Sequence, residues 1–291
     1  MPELPEVEVT RQRITPVLLG RRIAEVHTTR DSYFFVTKPE RLRRTLPGRT
    51  TIALDRHGKY LVATLDDRTR LVLHLGMTGQ LFTGGATSVR LLSAAARAAL
   101  RPEQQPAFQP DGHTHLRLSF EDGGRDVLFR DVRKFGKVFL VGAGERSARL
   151  SKLGIDALEL TPPHLWPQLR RRHTAIKNVL LDQGVLAGVG NIYADEALFL
   201  AGIRPRRRAS RVTHTECERL VAAILRVLRR SIETGGSSIS DYVAPDGADG
   251  GYQDERRVYA REDEPCPACG ALVRRIVIGQ RSSHYCPRCQ R

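Results

Sequence analysis

The sequence predicts an α+β chain of several domains, with a β-rich first half, a helical part after it and a short cysteine module near the C-terminus. Three observations support this prediction. Strand-like runs rich in Val, Leu and Phe alternate with Gly and Asp-Gly turns in the first half. After Gly144 the hydrophobic period becomes helical, and four of the five cysteines form two Cys-x2-Cys pairs. With 291 residues, the chain is long enough for two domains and a sizeable core.

The first half is predicted to contain one helix followed by strands. In EVEVTRQRITPVLLG, Pro5 suits the first helical turn and Gly20 suits the end. The runs that follow have the partial alternation of an antiparallel sandwich or barrel: RRIAEVHTT, TIALDRHGKYLVATL, RLVLHLGMTGQLF, HLRLSF and DVLFRDVRKFGKVFLV. Residues 84–112 interrupt this pattern, and their Gly, Ala, Pro and Gln content predicts a mobile loop with a short helix through LLSAAARAAL.

The second half is predicted to be helical after a linker near 141–156. The helical patterns are TAIKNVLLDQ, NIYADEALFLAG and TECERLVAAILRVLRRSIETGG. Thr213 and Glu216 form a capping-box pattern at the start of the last helix, and Gly235 with Gly236 ends it. The following stretch, GGSSISDYVAPDGADGGYQ, is predicted to be a loop.

The cysteine module has two Cys-x2-Cys pairs separated by sixteen residues. Four thiolates complete a tetrahedral Zn²⁺ shell and leave no open coordination position, so one zinc ion here would be structural. Redox-active cysteine pairs are the alternative. The predicted ligands are Cys266, Cys269, Cys286 and Cys289. Cys217 stands alone, and this cysteine usage favours a reducing compartment over a disulfide framework.

The charge of the chain favours a polyanionic partner. Lys and Arg number 47 against 32 Asp and Glu, which gives a formal net charge of +15. An anionic membrane surface is the alternative partner. The sequence shows no basic amphipathic anchor, no apolar run long enough to cross a bilayer and no signal peptide. We therefore expect a cytoplasmic protein that binds nucleic acid and no membrane.

The N-terminal sequence MPELPEVE has two interpretations. Proline and acidic residues are common at the start of a helix, where they suit its dipole. Alternatively, removal of the initiator methionine would give Pro2 a secondary amine with a pKa of about 7.7 to 8. Such an amine can attack an aldehyde-level carbon to form an iminium, with Glu3 and Glu6 placed for proton transfer. These residues alone leave both interpretations open.

Five motifs in one order resemble the formamidopyrimidine-DNA glycosylase family, bacterial enzymes that excise oxidised purines. The motifs are MPELPEVE, HLGMTG at 74–79, DVRKFG at 131–136, AGVGNIYADEALF at 187–199 and GQRSSHYCPRCQ in the cysteine module. The resemblance covers nearly the whole chain. It implies an N-terminal β-sandwich with flanking helices over 1–140, a linker over 141–156, a helix-two-turn-helix domain over 157–255 with a lesion-capping loop at 235–254, and a zinc finger over 256–291.

The resemblance also implies catalytic roles. Pro2 is expected to attack C1′ of the damaged nucleotide, with Glu3 as the acid/base and Glu6 supporting the site. The iminium acidifies the C2′ proton, so the 3′ and then the 5′ phosphate are eliminated. The chain would thus be a bifunctional glycosylase and AP lyase. Lys59 and Arg281 are expected to bind phosphate beside the lesion and to assist proton transfer and δ-elimination, and a solvated surface charge is the alternative for Lys59.

Further residues are expected to contact DNA. Flipping a base out of the duplex leaves a hole, which the resemblance assigns to Met77, Arg133 and Phe135. Core positions on strands are the alternative for Met77 and Phe135. His74 and Asn191 match residues that bind phosphate, although Asn191 at a helix start could also be an N-cap. Further matches, for DNA contact or nearby structure, are His113, Arg172 and Lys177.

The loop that closes over the extruded base corresponds to Ile239, Ser240, Asp241 and Tyr242. The chain departs from the family pattern at Val132, Lys134 and Ala260, none of them a catalytic position.

The expected partner is duplex DNA with oxidised bases, bound by a monomer at the bacterial nucleoid. One alternative is an endonuclease VIII type of enzyme for oxidised pyrimidines, but that group has glycine in place of Leu4. The other is a non-catalytic DNA-binding protein, which the joint presence of Pro2, Glu3, Lys59 and Arg281 argues against.

Overall fold

A computed structural model of the chain describes residues 2–87, 107–239 and 242–291. The predicted helix through LLSAAARAAL lies outside these residues. The chain packs as two compact units. Unit 1 comprises Met1–Ser147 and Thr234–Gly251, and unit 2 comprises Ala148–Glu233 and Tyr252–Arg291.

Unit 1 begins with helix α1, Leu4–Leu18, in which proline occupies the first turn as predicted. Gly20 follows the helix with φ +72°, a left-handed conformation that glycine adopts without steric cost. The remaining elements are β1 (Ile23–Thr28), α2 (Pro39–Thr45), β2 (Thr51–His57), β3 (Tyr60–Leu65), β4 (Arg70–His74), β5 (Gly79–Thr83), β6 (Thr114–Phe120), β7 (Val127–Asp131) and β8 (Lys137–Val141).

The strands of unit 1 form two antiparallel four-stranded sheets, with orders β1-β6-β7-β5 and β2-β3-β4-β8. One hydrophobic core joins them. It contains Leu61 and Val138 from one sheet and Phe129 from the other, together with Val7 and Ile14 of α1. The predicted β-sandwich with flanking helices is therefore confirmed, because two sheets bury their inner faces against each other and against α1.

Unit 2 is helical, with a hairpin at its C-terminal end. Its elements are β9 (Ile155–Asp156), α3 (Pro162–Arg170), α4 (Ile176–Leu181), β10 (Leu186–Ala187), α5 (Asn191–Ala201), α6 (His214–Glu233), β11 (Arg274–Ile278) and β12 (Arg281–Tyr285), with single 3₁₀ turns at Ala157–Glu159, Ala209–Arg211 and Tyr252–Asp254. No helix in the described ranges is both long and apolar enough to cross a bilayer.

Helix α6 has the predicted capping box. The Thr213 N–H donates to Glu216 Oε2 at 2.8 Å, and the Glu216 N–H donates to Thr213 Oγ1 at 3.3 Å. Gly235 and Gly236 follow the helix with φ +81° and +87°. At the C-terminal end, β11 and β12 pair as a hairpin whose two turn residues, Gly279 and Gln280, both have positive φ. That combination is typical of a type I′ turn, which fits the twist of a hairpin.

Candidate active site and metal centre

The start of α1 is enclosed by protein. Pro2 is buried, and Glu3 and Glu6 are only 3% and 2% exposed. A buried carboxylate has to be hydrogen-bonded to offset its desolvation. Glu3 is the N-cap residue of α1 and forms a reciprocal capping box with Glu6, so the helix-start interpretation accounts for both buried acids and the catalytic interpretation stays a prediction.

Glu6 is the hydrogen-bonding centre of this region. Its Oε2 accepts the Glu3 N–H at 2.8 Å, and its Oε1 accepts the Ser237 N–H at 2.9 Å. Gly236, with φ +87°, lies so close that an added Cβ would come within 3.3 Å of the Glu6 side chain. The carboxylate thus ties the first turn of α1 to the backbone of the segment after α6.

The predicted lesion loop is described only in part. Ile239 is 39% exposed, whereas Ser240 and Asp241 lie outside the described residues. Tyr242 is buried, and burial together with the charge of Glu6 raises its pKa well above the usual range. The Tyr242 hydroxyl therefore remains protonated at neutral pH, and the ring packs beside Gly236.

Lys59 lies in the two-residue turn between β2 and β3. His57 pairs with Tyr60 across the turn, and Gly58 has φ +55°. The Lys59 side chain is buried, so its ammonium group is not a solvated surface charge. In the next strand, His74 pairs with Tyr60, and the two rings are 4.6 Å apart. The sheet therefore brings Lys59 and His74 to the same end of two neighbouring strands.

Met77, Arg133 and Phe135 lie on two turns that contact each other. Met77 and Phe135 are 39% and 40% exposed, so neither is a core residue. The Arg133 guanidinium carbon lies 4.5 Å from the centre of the Phe135 ring. A Cβ at Gly76 would come within 2.4 Å of the Gly136 nitrogen, so only glycine allows this approach. The three predicted insertion residues thus share one exposed site.

Asp131 holds these two turns together, a role that the sequence analysis missed. It is fully buried, and its Oδ1 accepts the Thr78 hydroxyl at 2.5 Å and the Arg133 N–H at 3.2 Å. Its Oδ2 accepts the Gly136 N–H at 2.7 Å. The Asp131 carbonyl also contacts the His115 ring, and burial lowers the pKa of His115 so that this ring is neutral. One carboxylate therefore sets the conformation of both turns.

Asn191 and Arg281 are the predicted phosphate ligands of unit 2. Asn191 is the first residue of α5, and the N-cap is Gly190, so the alternative of an Asn191 N-cap is not supported. The Asn191 side-chain nitrogen lies 3.4 Å from Ser282 Oγ, a long contact. Arg281 is exposed at the start of β12, next to Ser282. The hairpin therefore places Arg281 close to the N-terminus of α5, where free N–H groups suit an anion.

Lys177 is not available for a surface contact with DNA, which leaves the other expected role, support of nearby structure. Its side chain is fully buried, and its Nζ lies 2.7 Å from Asp195 Oδ1 and 2.7 Å from the Ser282 carbonyl. Asp195 Oδ2 in turn accepts the His284 N–H at 2.8 Å. A buried charge requires such pairing because desolvation is costly. Lys177 thus locks α4 and α5 to the hairpin that carries Arg281.

The other two residues matched for DNA contact or nearby structure, Arg172 and His113, differ in exposure. Arg172 is half-buried and donates to the Gln168 side chain at 2.6 Å. His113 is exposed, and its carbonyl accepts the Asp131 N–H at 2.9 Å. Neither contact excludes DNA, so both residues remain expectations.

The four predicted zinc ligands come together. Their sulfur atoms lie within 4.8 Å of one another, with Sγ–Sγ separations of 3.9 Å for Cys266–Cys289 and 3.4 Å for Cys269–Cys286. A tetrahedral site with Zn–S bonds of about 2.3 Å has sulfur–sulfur edges of about 3.8 Å. The cluster therefore fits one structural Zn²⁺ ion. It packs on Phe199 of α5 and on Val258 and Val273, so the ion would stabilise the base of the hairpin.

Comparisons with known proteins agree with this arrangement. The chain matches the formamidopyrimidine-DNA glycosylase N-terminal domain over residues 1–138, the formamidopyrimidine-DNA glycosylase H2TH domain over 153–243, and the zinc finger found in FPG and IleRS over 263–291. It is 40% identical over 292 residues to a formamidopyrimidine-DNA glycosylase of Solibacter usitatus, and the alignment covers 100% of both chains.

Two solved structures show the same fold. The MutM (FPG) protein of Thermus thermophilus has a TM-score of 0.83 and 39% identity, with 99% of this chain and 98% of that chain covered. A mutant of the Lactococcus lactis FPG protein, solved with DNA containing Fapy-dG, has a TM-score of 0.83 and 32% identity over 100% of both chains. The chain therefore belongs to the formamidopyrimidine-DNA glycosylase family of base-excision-repair enzymes.

Proposed function

We propose that this protein is a bifunctional DNA glycosylase and AP lyase that excises oxidised purines, formamidopyrimidines and 8-oxoguanine, from duplex DNA. The observation that carries the proposal is the enclosed first turn, in which Glu3 and Glu6 are 3% and 2% exposed. Most chain termini fray. A terminus fixed by a buried carboxylate is suited to chemistry, because a nucleophile must be held at a defined position.

The nucleophile in this proposal is the amine of Pro2 after removal of Met1. The ordinary pKa of an α-amino group lies well below that of lysine, so such an amine is partly unprotonated near neutral pH. Its lone pair forms a bond to C1′, and the bond between C1′ and the damaged base breaks. Ring opening of the sugar then gives an iminium between Pro2 and C1′, with Glu3 as the donor and acceptor of protons.

The iminium enables strand cleavage. It withdraws electrons from C2′, so the C2′ proton is removed and the bond between C3′ and its phosphate oxygen breaks. Elimination of the 5′ phosphate follows, and water hydrolyses the iminium to release the sugar fragment and restore Pro2. The steps transfer only protons and electron pairs. We assign proton transfer in these steps to Glu3 and Lys59, and assistance to the second elimination to Arg281.

The remaining residues are proposed to hold the DNA. Met77 and Phe135 have exposed apolar side chains suited to wedge the base stack, and Arg133 can hydrogen-bond the orphaned base. His74, Asn191 and Arg281 are proposed to bind phosphate. The solved complex of the L. lactis relative with Fapy-dG DNA supports this class of substrate. Such an enzyme would act on the bacterial nucleoid in the cytoplasm.

The test of the proposed substrate is a panel of duplexes that carry 8-oxoguanine, formamidopyrimidine-guanine, thymine glycol or no lesion. We expect excision and strand cleavage of the two oxidised purines at rates at least tenfold above that of thymine glycol. A preference for thymine glycol would indicate an endonuclease VIII type of enzyme. Tight binding without cleavage of any duplex would indicate a non-catalytic protein.

A further inference from the structure

A buried chain of ionic and hydrogen bonds connects α1 to the turn that carries Lys59. Oε2 of Glu8, a residue of α1, accepts a hydrogen bond from Arg56 Nε at 2.9 Å. The Glu8 side chain is 10% exposed and the Arg56 side chain 7% exposed. The same guanidinium donates from Nη1 to the Gly58 carbonyl at 3.0 Å. Arg56 therefore bonds simultaneously to the helix that begins at the proposed nucleophile and to the hairpin turn.

The Gly58 carbonyl belongs to the peptide that joins Gly58 to Lys59. Because a peptide unit is planar, a hydrogen bond to this oxygen also fixes the direction of the Lys59 N–H and limits the position of the Lys59 Cα. Gly58 has φ +55°, and its turn has only two residues, so little other freedom remains. The contact made by Arg56 thus acts on the backbone immediately before Lys59.

Charge compensation alone does not explain Arg56. Arg11 already pairs with Glu8, with Nη2 at 2.7 Å from Oε1 and Nε at 3.1 Å from Oε2. Burial by itself would raise the pKa of Glu8, but the hydrogen bonds from Arg11 and Arg56 outweigh it and lower that pKa, so Glu8 is ionised. Replacing a buried ion pair by apolar groups is often neutral for stability, so geometry is the better explanation for this arginine.

We propose that Arg56, held by Glu8, is a positioning residue that sets Lys59 relative to the first turn of α1. This inference rests on the proposed function, in which Lys59 assists the chemistry at Pro2. A guanidinium is required because one planar group has to reach a carboxylate and a carbonyl in different directions. Lysine carries its three donors on a single nitrogen, whereas Arg56 uses Nε for the carboxylate and Nη1 for the carbonyl.

The experiment uses the full-length protein and a duplex with one 8-oxoguanine. Single-turnover excision is measured for Arg56→Met, Arg56→Lys, Lys59→Met and the double variant Arg56→Met/Lys59→Met, with thermal unfolding of each. Arg11→Met is the matched control, since it removes an arginine from the same carboxylate without touching Gly58. Misplacement of a reacting group by about 1 Å can cost about 100-fold in rate. We expect a loss of about 10- to 100-fold for Arg56→Met, and a smaller one for Arg11→Met.

The double variant separates positioning from general stability. If Arg56 acts through Lys59, removing Arg56 from the Lys59→Met background changes the rate less than about twofold, because the group to be positioned is already absent. Losses that multiply in the double variant would overturn the inference, and so would a normal rate for Arg56→Met. If Arg56→Met does not fold, Arg56→Lys in the same two backgrounds provides the test. A normal rate for Lys59→Met would instead contradict the role of Lys59 in the proposed function, and the inference with it.

Discussion

Glu6 accepts the backbone N–H of Ser237 at 2.9 Å, although 231 positions separate the two residues in the chain. The bond fastens the segment after α6 to the first turn of α1. Glu6 also accepts the Glu3 N–H on its other oxygen. One carboxylate therefore organises both the proposed nucleophile region and the start of the predicted lesion-capping loop at 235–254.

Replacing Glu6 by glutamine should weaken this organisation. Glutamine retains one acceptor oxygen but places an NH₂ group against a backbone N–H, so one buried hydrogen bond is lost. We expect a loss of about 1 to 3 kcal/mol in unfolding free energy and a slower single-turnover excision. Chemical denaturation and rapid-quench assays measure the two effects. Glu40→Gln on α2 is the control, because Glu40 is 70% exposed and should tolerate the change. An unchanged excision rate in Glu6→Gln would show that this link has no catalytic role.

Asp131→Asn should loosen the two insertion turns. In Asp131 one oxygen accepts from Thr78 and the Arg133 N–H, and the other accepts from the Gly136 N–H. Asparagine has only one such oxygen, so its NH₂ group faces the donors of the other set. We expect slower excision of 8-oxoguanine and an unfolding free energy lower by about 1 to 3 kcal/mol. Asp126→Asn, just before the same strand, serves as the control, since Asp126 pairs with the half-exposed Arg117. Wild-type excision by Asp131→Asn would mean that the insertion residues need no such support.

Asp195→Asn should be among the most destabilising single changes in unit 2. It would leave the Lys177 ammonium buried with a neutral partner, and breaking one side of a buried ion pair typically costs about 3 to 5 kcal/mol. The melting temperature and the affinity for lesion-containing DNA should both fall, because β12 carries Arg281. The exposed Glu218→Gln is the control. The double variant Lys177→Met/Asp195→Asn should recover part of the stability, as it removes both charges and keeps an acceptor for the His284 N–H. A melting temperature of Asp195→Asn equal to the wild type would contradict this account.

Loss of one zinc ligand should separate DNA binding from the folding of the sandwich. Cys266→Ser opens the four-sulfur shell, and metal binding contributes folding free energy to modules of this kind. We expect a zinc content below one per chain and lost binding of DNA, whereas the β-sheet circular dichroism remains. Cys217→Ala is the matched thiol control, because Cys217 is buried within α6. Full DNA affinity in Cys266→Ser would show that the finger is dispensable.

The sandwich and the main helices could be predicted because their signals are local. Alternation and turn residues predicted the β2–β3 and β7–β8 regions, and a capping box predicted the start of α6. Helices α2 and α3 were missed, since PERLRRT and PPHLWPQLR are short, proline-containing segments without a full apolar repeat. Their formation depends on packing, as the burial of Leu42 and Leu165 indicates.

Residues of the candidate site could be predicted only where they match a position in one of the family motifs. Asp131 lies inside the DVRKFG motif, but its partner Thr78 is 53 positions away, and only the fold shows that one carboxylate serves two turns. The same holds for Asp195 and His284, which are 89 positions apart. The resemblance matched Lys177 to DNA contact or nearby structure, and only its burial in the fold assigns it to the interior. Sequence motifs thus predict the candidate catalytic and DNA-binding residues, whereas the residues that hold them in place become visible only from tertiary contacts.

The most direct test of the central claim is borohydride trapping on duplex DNA with one 8-oxoguanine. The purified protein is compared with Pro2→Gly and with a form that retains its initiator methionine, and unfolding curves verify that all three are folded. Reduction converts the proposed iminium into a stable covalent adduct, visible as a shifted band. We predict an adduct and strand cleavage that require a free Pro2 amine. An adduct of equal yield in the form that retains methionine, or none with the wild-type protein across a panel of oxidised bases, would contradict the assignment of Pro2 as the nucleophile.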